Sequence, residues 1–302
     1  MPLHIDYRPD NLDEIEGNEA VVKALKSKLK SKDIPHSFLI TGPSGCGKTT
    51  IARIIKTELG CSDDNYKEVD SADFRGIDSI REIRKQMNTK GLGGGIKVYL
   101  LDECHQISKD GQSALLKALE DTPPHVYFIL ATTDPQKLLP TIKTRCTTYN
   151  VEPLTQAHME KFLAEICDSE AKKVPEKVLA QIAMDSMGSP RAALVILDKV
   201  IDMKKKDMEE AAKQAAIQEN QSIELYQAVI KKKGWKAISA IIKGLNEEPE
   251  TIRIKGMFYF EAVLLNSGQE RMFDILECLN KPIYNEPKRP QLSMMFFDAS
   301  SC

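Results

Sequence analysis

The chain has 302 residues, 28% of them charged and 42% hydrophobic, with a formal net charge of −2. This is the balance of an ordinary soluble globular protein. It excludes a whole-molecule basic field, so any DNA contact has to come from a local basic surface. No apolar run approaches the ~20 residues of a membrane span, and the opening MPLHIDYRPD carries no apolar core of a secretory signal. The cysteines number seven, are scattered, and form no CxxC pair. Reduced thiols in a cytoplasmic setting are therefore expected, not a disulfide frame or a zinc site.

Taken in chain order, residues 19–30 place Val21, Val22, Leu25 and Leu29 on one helical face. SFLIT (37–41) is a short apolar run that feeds a glycine-rich loop, as a buried parallel strand does. Ile51, Ile54, Ile55 and Leu59 then repeat at helical spacing, and GIDSIREIRKQM (76–87) is a further helix candidate. GLGGG (91–95) reads as a flexible loop. IKVYLL (96–101) and VYFILA (126–131) are two more buried strands, with the helix QSALLKALE (112–120) between them. Strands alternating with helices imply a parallel sheet covered on both faces.

From about residue 153 the strand signals stop. PLTQAHMEKFLAEIC offers Thr155 as an N-cap, followed by Met159, Phe162, Leu163 and Ile166 on one face. A second helix runs between Pro175 and Gly188, and a third opens at Ser189-Pro190. Beyond 205 the pattern stays helical, with Trp235, Ile238, Ile241, Ile242 and Leu245, then Ile275, Leu276 and Leu279. The end, NKPIYNEPKRPQLSMMFFDASSC, is broken by proline and then abruptly apolar. Gln291 and the hydrophobic residues from Leu292 to Phe297 form either a last packed helix or a peptide that inserts into a partner.

Three stretches carry chemistry. Gly42-Pro43-Ser44-Gly45-Cys46-Gly47-Lys48-Thr49 fits G-x-x-x-x-G-K-[ST] between a predicted strand and a predicted helix. Its glycines turn backbone N–H groups toward phosphates at a helix N-terminus, Lys48 reaches the outer phosphates, and Thr49 ligates Mg²⁺, with Thr50 alongside. VYLLDE (98–103) ends a strand on Asp102, which would hold Mg²⁺, and Glu103, which would polarise the attacking water. Thr132 and Thr133 follow the next strand, where a hydroxyl positions water or senses a phosphate. Arg191 sits in a first helical turn, where a cation opposes the helix dipole unless an anion meets it.

The run KVYLLDECHQIS…ALLKALEDTPPHVYFILATTDPQKLLPTIKTRC resembles the AAA+ clamp-loader ATPases. It is nearest to the gamma/tau subunits of bacterial DNA polymerase III; replication factor C small subunits and phage loader ATPases are further off. YRP (7–9), PHSFLITGPSGCGKTT (35–50) and GSPRAAL (188–194) also match, so the resemblance covers about 1–200. It implies an α/β AAA+ P-loop domain over 1–152, a helical lid over 153–204 and an all-α oligomerisation collar over 205–302. It implies ATP and Mg²⁺ as cofactors. Lys48 and Thr49 take the Walker A roles, Asp102 and Glu103 the Walker B roles, and Thr133 sensor 1. Arg191 becomes the sensor 2 arginine, and Tyr7, Arg8 and Pro9 lie near the base.

TRC (144–146) matches the family's SRC motif, so Arg145 is implied as a finger that reaches the γ-phosphate of a neighbouring subunit. Such fingers are worth roughly 10³–10⁵ in rate. Arg75, Arg81, Arg84 and Lys85, with Lys109, fall where the family meets the DNA backbone. The implied partners are sister copies, at least one different loader subunit, a sliding clamp and primer-template DNA. The setting is the cytoplasm of a bacterium or a phage-infected host. The departures are Thr144 in place of serine, Cys61 alone where gamma/tau relatives carry a zinc cluster, and no counterpart to the long C-terminal extension of tau. Two rivals are another AAA+ machine, such as a branch-migration motor or helicase loader, and a nucleotide-binding structural subunit without turnover.

Overall fold

A computed structural model describes residues 1–71, 76–90, 92–283 and 286–302. The chain divides into two compact units, Tyr7–Pro153 and Met1–Asp6 with Leu154–Cys302.

The first unit is a five-stranded, all-parallel sheet in the order β2-β3-β4-β1-β5. The strands are β1 (Ser37–Thr41), β2 (Tyr66–Asp70), β3 (Lys97–Asp102), β4 (Val126–Thr132) and β5 (Thr147–Asn150). The three apolar runs read from the sequence are the three central strands. Alternation of side chains explains the two core layers. Phe38, Ile40, Val98, Leu100 and Ile129 point to one face, where Ile51 and Ile55 cover them. Leu39, Tyr99, Leu101, Phe128 and Leu130 point to the other, against Ile80, Ile83 and Leu115. After the short α1 (Leu3–Asp6), which belongs to the second unit, the helices of this unit are α2 (Glu19–Leu29), α3 (Lys48–Glu58), α4 (Ile77–Met87), α5 (Lys109–Glu120) and α6 (Pro140–Arg145). Both edge strands, β2 and β5, went unread in the sequence, because they are short, polar and only half covered. Of the glycine-rich stretch 91–95, Leu92–Gly94 form a short 3₁₀ turn, and Gly91 lies outside the described residues.

The second unit is helical: α7 (Gln156–Ser169), α8 (Glu176–Asp185), α9 (Pro190–Val200), α10 (Lys205–Glu219), α11 (Ser222–Ile230), α12 (Trp235–Gly244), α13 (Pro249–Ser267), α14 (Glu270–Leu279) and α15 (Lys288–Ser301). The caps are those the sequence suggests. The Thr155 hydroxyl accepts from His158 N, and the Ser189 hydroxyl accepts from Ala192 N ahead of Pro190. Tyr226 is fully buried with its ring against Tyr259, Phe260 and Phe296, and its hydroxyl donates to Ile252 O at 2.7 Å. The Tyr259 hydroxyl donates to Asp185 Oδ1 at 3.1 Å, and Gln181 donates to Asp185 Oδ2 at 2.8 Å. Burial pushes the Asp185 carboxyl above its ordinary range. The segment 291–297 lies within α15, which buries Leu292 and Phe296 in this body and leaves Met294 and Phe297 outward. Among the described residues no helix is long and apolar enough to cross a membrane.

Candidate nucleotide site

The phosphate loop leaves β1 at Gly42, whose φ of +147° suits glycine alone. A Cβ there would stand 2.2 Å from Val151 O, and Val151 N donates to Thr41 O at 2.7 Å, so that neighbour is fixed. Gly47, at φ +93°, turns the chain into α3. No side chain caps α3, so its first N–H groups are left for an anion in the loop. Lys48 is 5% exposed, and its Nζ donates to Pro43 O at 2.8 Å. Burial lowers the pKa of this ammonium, against the opposing pull of Glu103, Cys46 and Asp102. Burial also raises the Cys46 thiol to about 11, so it is a neutral wall and not a nucleophile.

The acidic half sits at the end of β3. Asp102 Oδ2 accepts from Thr49 Oγ1 at 2.7 Å, and Asp102 Oδ1 accepts from Glu103 N at 2.9 Å. The sheet register thus sets the metal-ligand candidates of two motifs, 53 residues apart, side by side. Glu103 adopts a left-handed backbone, φ 44° and ψ 42°, which is costly for a non-glycine residue and common at functional sites. That turn aims its carboxylate at the end of β4. There Glu103 Oε2 accepts from Thr133 Oγ1 at 2.9 Å and from Thr133 N at 3.2 Å. His105 Nδ1 lies 3.2 Å from the same oxygen and 3.0 Å from Thr132 Oγ1. The buried Thr132 hydroxyl in turn accepts from Asp134 N at 3.0 Å. One oxygen of Glu103 thus accepts both the hydroxyl and the N–H of Thr133, with the His105 ring beside it.

Lys48, Thr49, Asp102, Glu103 and Thr133 therefore converge. Tyr7, Arg8 and Pro9 open the same unit. Arg145 closes the last turn of α6, where it pairs with Glu120 Oε1 at 2.5 Å, both side chains about two-fifths exposed. Arg191 belongs to the helical unit and is exposed in the first turn of α9. On α4, Arg81 pairs with Asp78 at 3.1 Å, and Arg84 pairs with Asp121 at 2.9 Å. Lys85 and Lys109 are exposed with no ion pair among the described residues. Arg75 lies outside the described residues.

Three polar residues of this layer carry little or no signal in the sequence. His105 carries a faint signal, a polar residue two places past the acidic pair. Glu120 carries none, because its link to Arg145 spans 25 positions and depends on how α5 meets α6. Gln112, 3% exposed, is the third and the most deeply buried. Its amide donates to Ile107 O and Lys137 O, and its carbonyl accepts from Leu139 N.

The donor set suits a nucleotide with its metal. Backbone N–H groups and a buried ammonium face the loop, and a hydroxyl and a carboxylate supply the hard oxygens that Mg²⁺ prefers. Residues 4–101 match the family model described as Rad17 P-loop domain, and residues 68–155 match that of DNA polymerase III, delta subunit. The DNA polymerase III subunit gamma/tau of Mycobacterium tuberculosis (strain ATCC 25618 / H37Rv) is 34% identical over 224 residues, 67% of this chain and 39% of that protein. The gamma subunit of Buchnera aphidicola is 32% identical over 223 residues, 67% of this chain and 61% of that protein. The tau subunit of Escherichia coli K12 is 29% identical over 281 residues, 84% of this chain and 44% of that protein. The chain thus spans about two-fifths of the length of the Mycobacterium relatives. Among solved structures, the Thermotoga maritima RuvB Holliday junction branch migration motor is similar, with a TM-score of 0.64 and 22% identity over 87% of this chain and 91% of that one. That likeness shows the fold alone. Over about two thirds of its length the chain is thus similar to DNA polymerase III gamma/tau and tau subunits.

Proposed function

We propose that the chain is an ATP-driven clamp-loader subunit that opens a sliding clamp and loads it onto primer-template DNA during replication. The observation that carries this reading is the convergence of Thr49 on Asp102 and of Thr133 on Glu103, in a chain whose sequence relatives are gamma/tau subunits. Bound Mg²⁺ supplies charge neutralisation for the nucleotide's outer phosphates. The chain's own residues do the rest. The loop from Gly42 to Thr49 and the neighbouring Thr50 cradle phosphate, and Lys48 exchanges the Pro43 carbonyl for a phosphate oxygen. Thr49 and Asp102 hold the metal. Glu103 orients and polarises the attacking water, while Thr133 fixes the carboxylate. Tyr7, Arg8 and Pro9 flank the base.

Arg145 acts on the nucleotide of an adjacent subunit, which makes hydrolysis conditional on assembly, and Arg191 answers the nucleotide of its own chain. Arginine suits both tasks, since its planar fork stays charged and binds oxyanions in pairs. The helical unit serves as lid over 153–204 and as oligomer collar over 205–302. Sister copies, at least one different subunit, the clamp and DNA are its partners in the cytoplasm, with Arg75, Arg81, Arg84, Lys85 and Lys109 meeting phosphates without sequence preference. The test is ATP turnover of the purified chain with partner subunits. Stimulation by clamp and primed DNA together supports the reading, whereas turnover indifferent to the clamp points to another AAA+ motor.

A further inference from the structure

The corner between α11 and α12 reads Lys231-Lys232-Lys233-Gly234-Trp235-Lys236. All four lysines are exposed, and Trp235 is half-buried. None of the four has a carboxylate partner within salt-bridge distance among the described residues. Lysines after a helix commonly serve its last carbonyls. Here that work is already done. Gln227 O accepts from Lys231 N at 2.9 Å, Ala228 O from Lys233 N at 2.9 Å, and Val229 O from Lys232 N at 3.1 Å, all through backbone N–H groups. The Arg271 guanidinium donates to Val229 O at 2.9 Å and to Ile230 O at 3.0 Å. The lysine ammoniums are thus left over from capping. Lys232 moreover occupies a left-handed position, φ 53°, that glycine fills with less strain.

An aromatic pair stands in the middle of this charge. Trp235 and Phe297 meet edge to face with centroids 5.1 Å apart, and Phe297 is 48% exposed. Beside them Trp235, Ser239, Lys243 and Ser293 wall a cleft of about 580 Å³ between α12 and α15, within the size range of pockets that take small ligands. Cations alone would suit any polyanion. Cations around a partly exposed aromatic pair suit one whose bases are unstacked, because an aromatic ring can then add a stacking contact that a duplex cannot use.

From this we infer that the α11–α12 corner is a docking surface for single-stranded nucleic acid, with Lys231, Lys232, Lys233 and Lys236 on phosphates and a base stacked at Trp235. The surface lies wholly within the helical unit and is independent of the ATPase reading, so Lys48→Ala leaves it unchanged.

Trp235 is the sole tryptophan of the chain, which makes it a direct probe. Titrating the full chain with a fifteen-residue oligothymidylate, we expect saturable quenching of its emission. The binding constant should fall with salt at a log–log slope of about −3, from the four lysine–phosphate contacts on a single strand. Replacing Lys231, Lys232 and Lys233 together by alanine should flatten that slope to about −0.7, the one contact left at Lys236, with the melting temperature unchanged. Replacing Arg81, Arg84 and Lys85 by alanine should leave the quenching intact. With a labelled oligonucleotide read by anisotropy, Trp235→Phe should keep binding, and Trp235→Ala should weaken it roughly five- to hundredfold. The inference is overturned by emission that does not respond at saturating oligonucleotide, or by quenching that survives the triple lysine variant. It is also overturned if an acidic peptide such as oligoglutamate binds the corner more tightly, which would make the partner a protein.

Discussion

Thr133→Val isolates the contact that holds Glu103. Valine keeps the shape of threonine and the backbone N–H bond at 3.2 Å, and it deletes the 2.9 Å hydroxyl bond to Oε2. A hydrogen bond to a charged group contributes about 1.5–3 kcal/mol. The N–H of Thr133 remains on the same oxygen, so the lower end applies. At 1.36 kcal/mol per decade, kcat should fall about tenfold. Lys48 and Thr49 keep their partners, so nucleotide affinity should hold. The assay is steady-state turnover in the assembled complex, paired with equilibrium binding of a fluorescent ATP analogue. In a Glu103→Gln background, which should already bind ATP and stall, Thr133→Val should cost less than a further twofold, because both act through one group. An undiminished kcat, a loss confined to KM, or independent multiplicative losses would each refute the reasoning.

If, as proposed, Arg145 serves the neighbouring site, mixing wild-type chain with a Lys48→Ala, Arg145→Ala double variant should lower ATPase activity faster than the wild-type fraction falls, because each active site then draws on two chains. A linear decline would place the finger in its own site or nowhere. Gly42→Ala forces a Cβ to 2.2 Å from Val151 O at φ +147°, and we expect about 3 kcal/mol of lost stability or more, seen as a melting temperature lower by several degrees; an unchanged melt would contradict the fit. The raised carboxyl of Asp185 favours the protonated form in the folded state. Its contribution is therefore complete below the unfolded carboxylate pKa and is lost as pH rises through the higher folded value. Asp185→Asn should flatten that decline in melts recorded from about pH 4 upward; an equally steep decline would clear Asp185 of the effect.

Sequence alone revealed the parts of the fold whose signals are local. β1, β3 and β4 are buried on both faces, so their apolar runs stand out, and the glycines of the loop mark a backbone few other residues tolerate. Thr155, Ser189 and Pro190 announce helix starts for reasons confined to one turn. β2 and β5 lie at the sheet edges with polar side chains, and nothing within Tyr66–Asp70 or Thr147–Asn150 demands a strand until β3 and β1 are beside them. In the candidate site, motif spacing alone singles out Lys48, Thr49, Asp102 and Glu103, which the structure brings together. The placement of His105 beside Glu103 and Thr132, the pairing of Arg145 with Glu120 and the cross-links of Gln112 were hidden, because each depends on tertiary placement of an ordinary polar residue.

The central claim is tested most directly by following a labelled sliding clamp on a nicked or primed circular DNA after incubation with the assembled complex and ATP. The account predicts clamp retained on the DNA through gel filtration with the wild-type chain, and none with Lys48→Ala in every copy. Clamp retained equally with Lys48→Ala, or never retained although ATP turns over with clamp and primed DNA present, would contradict it.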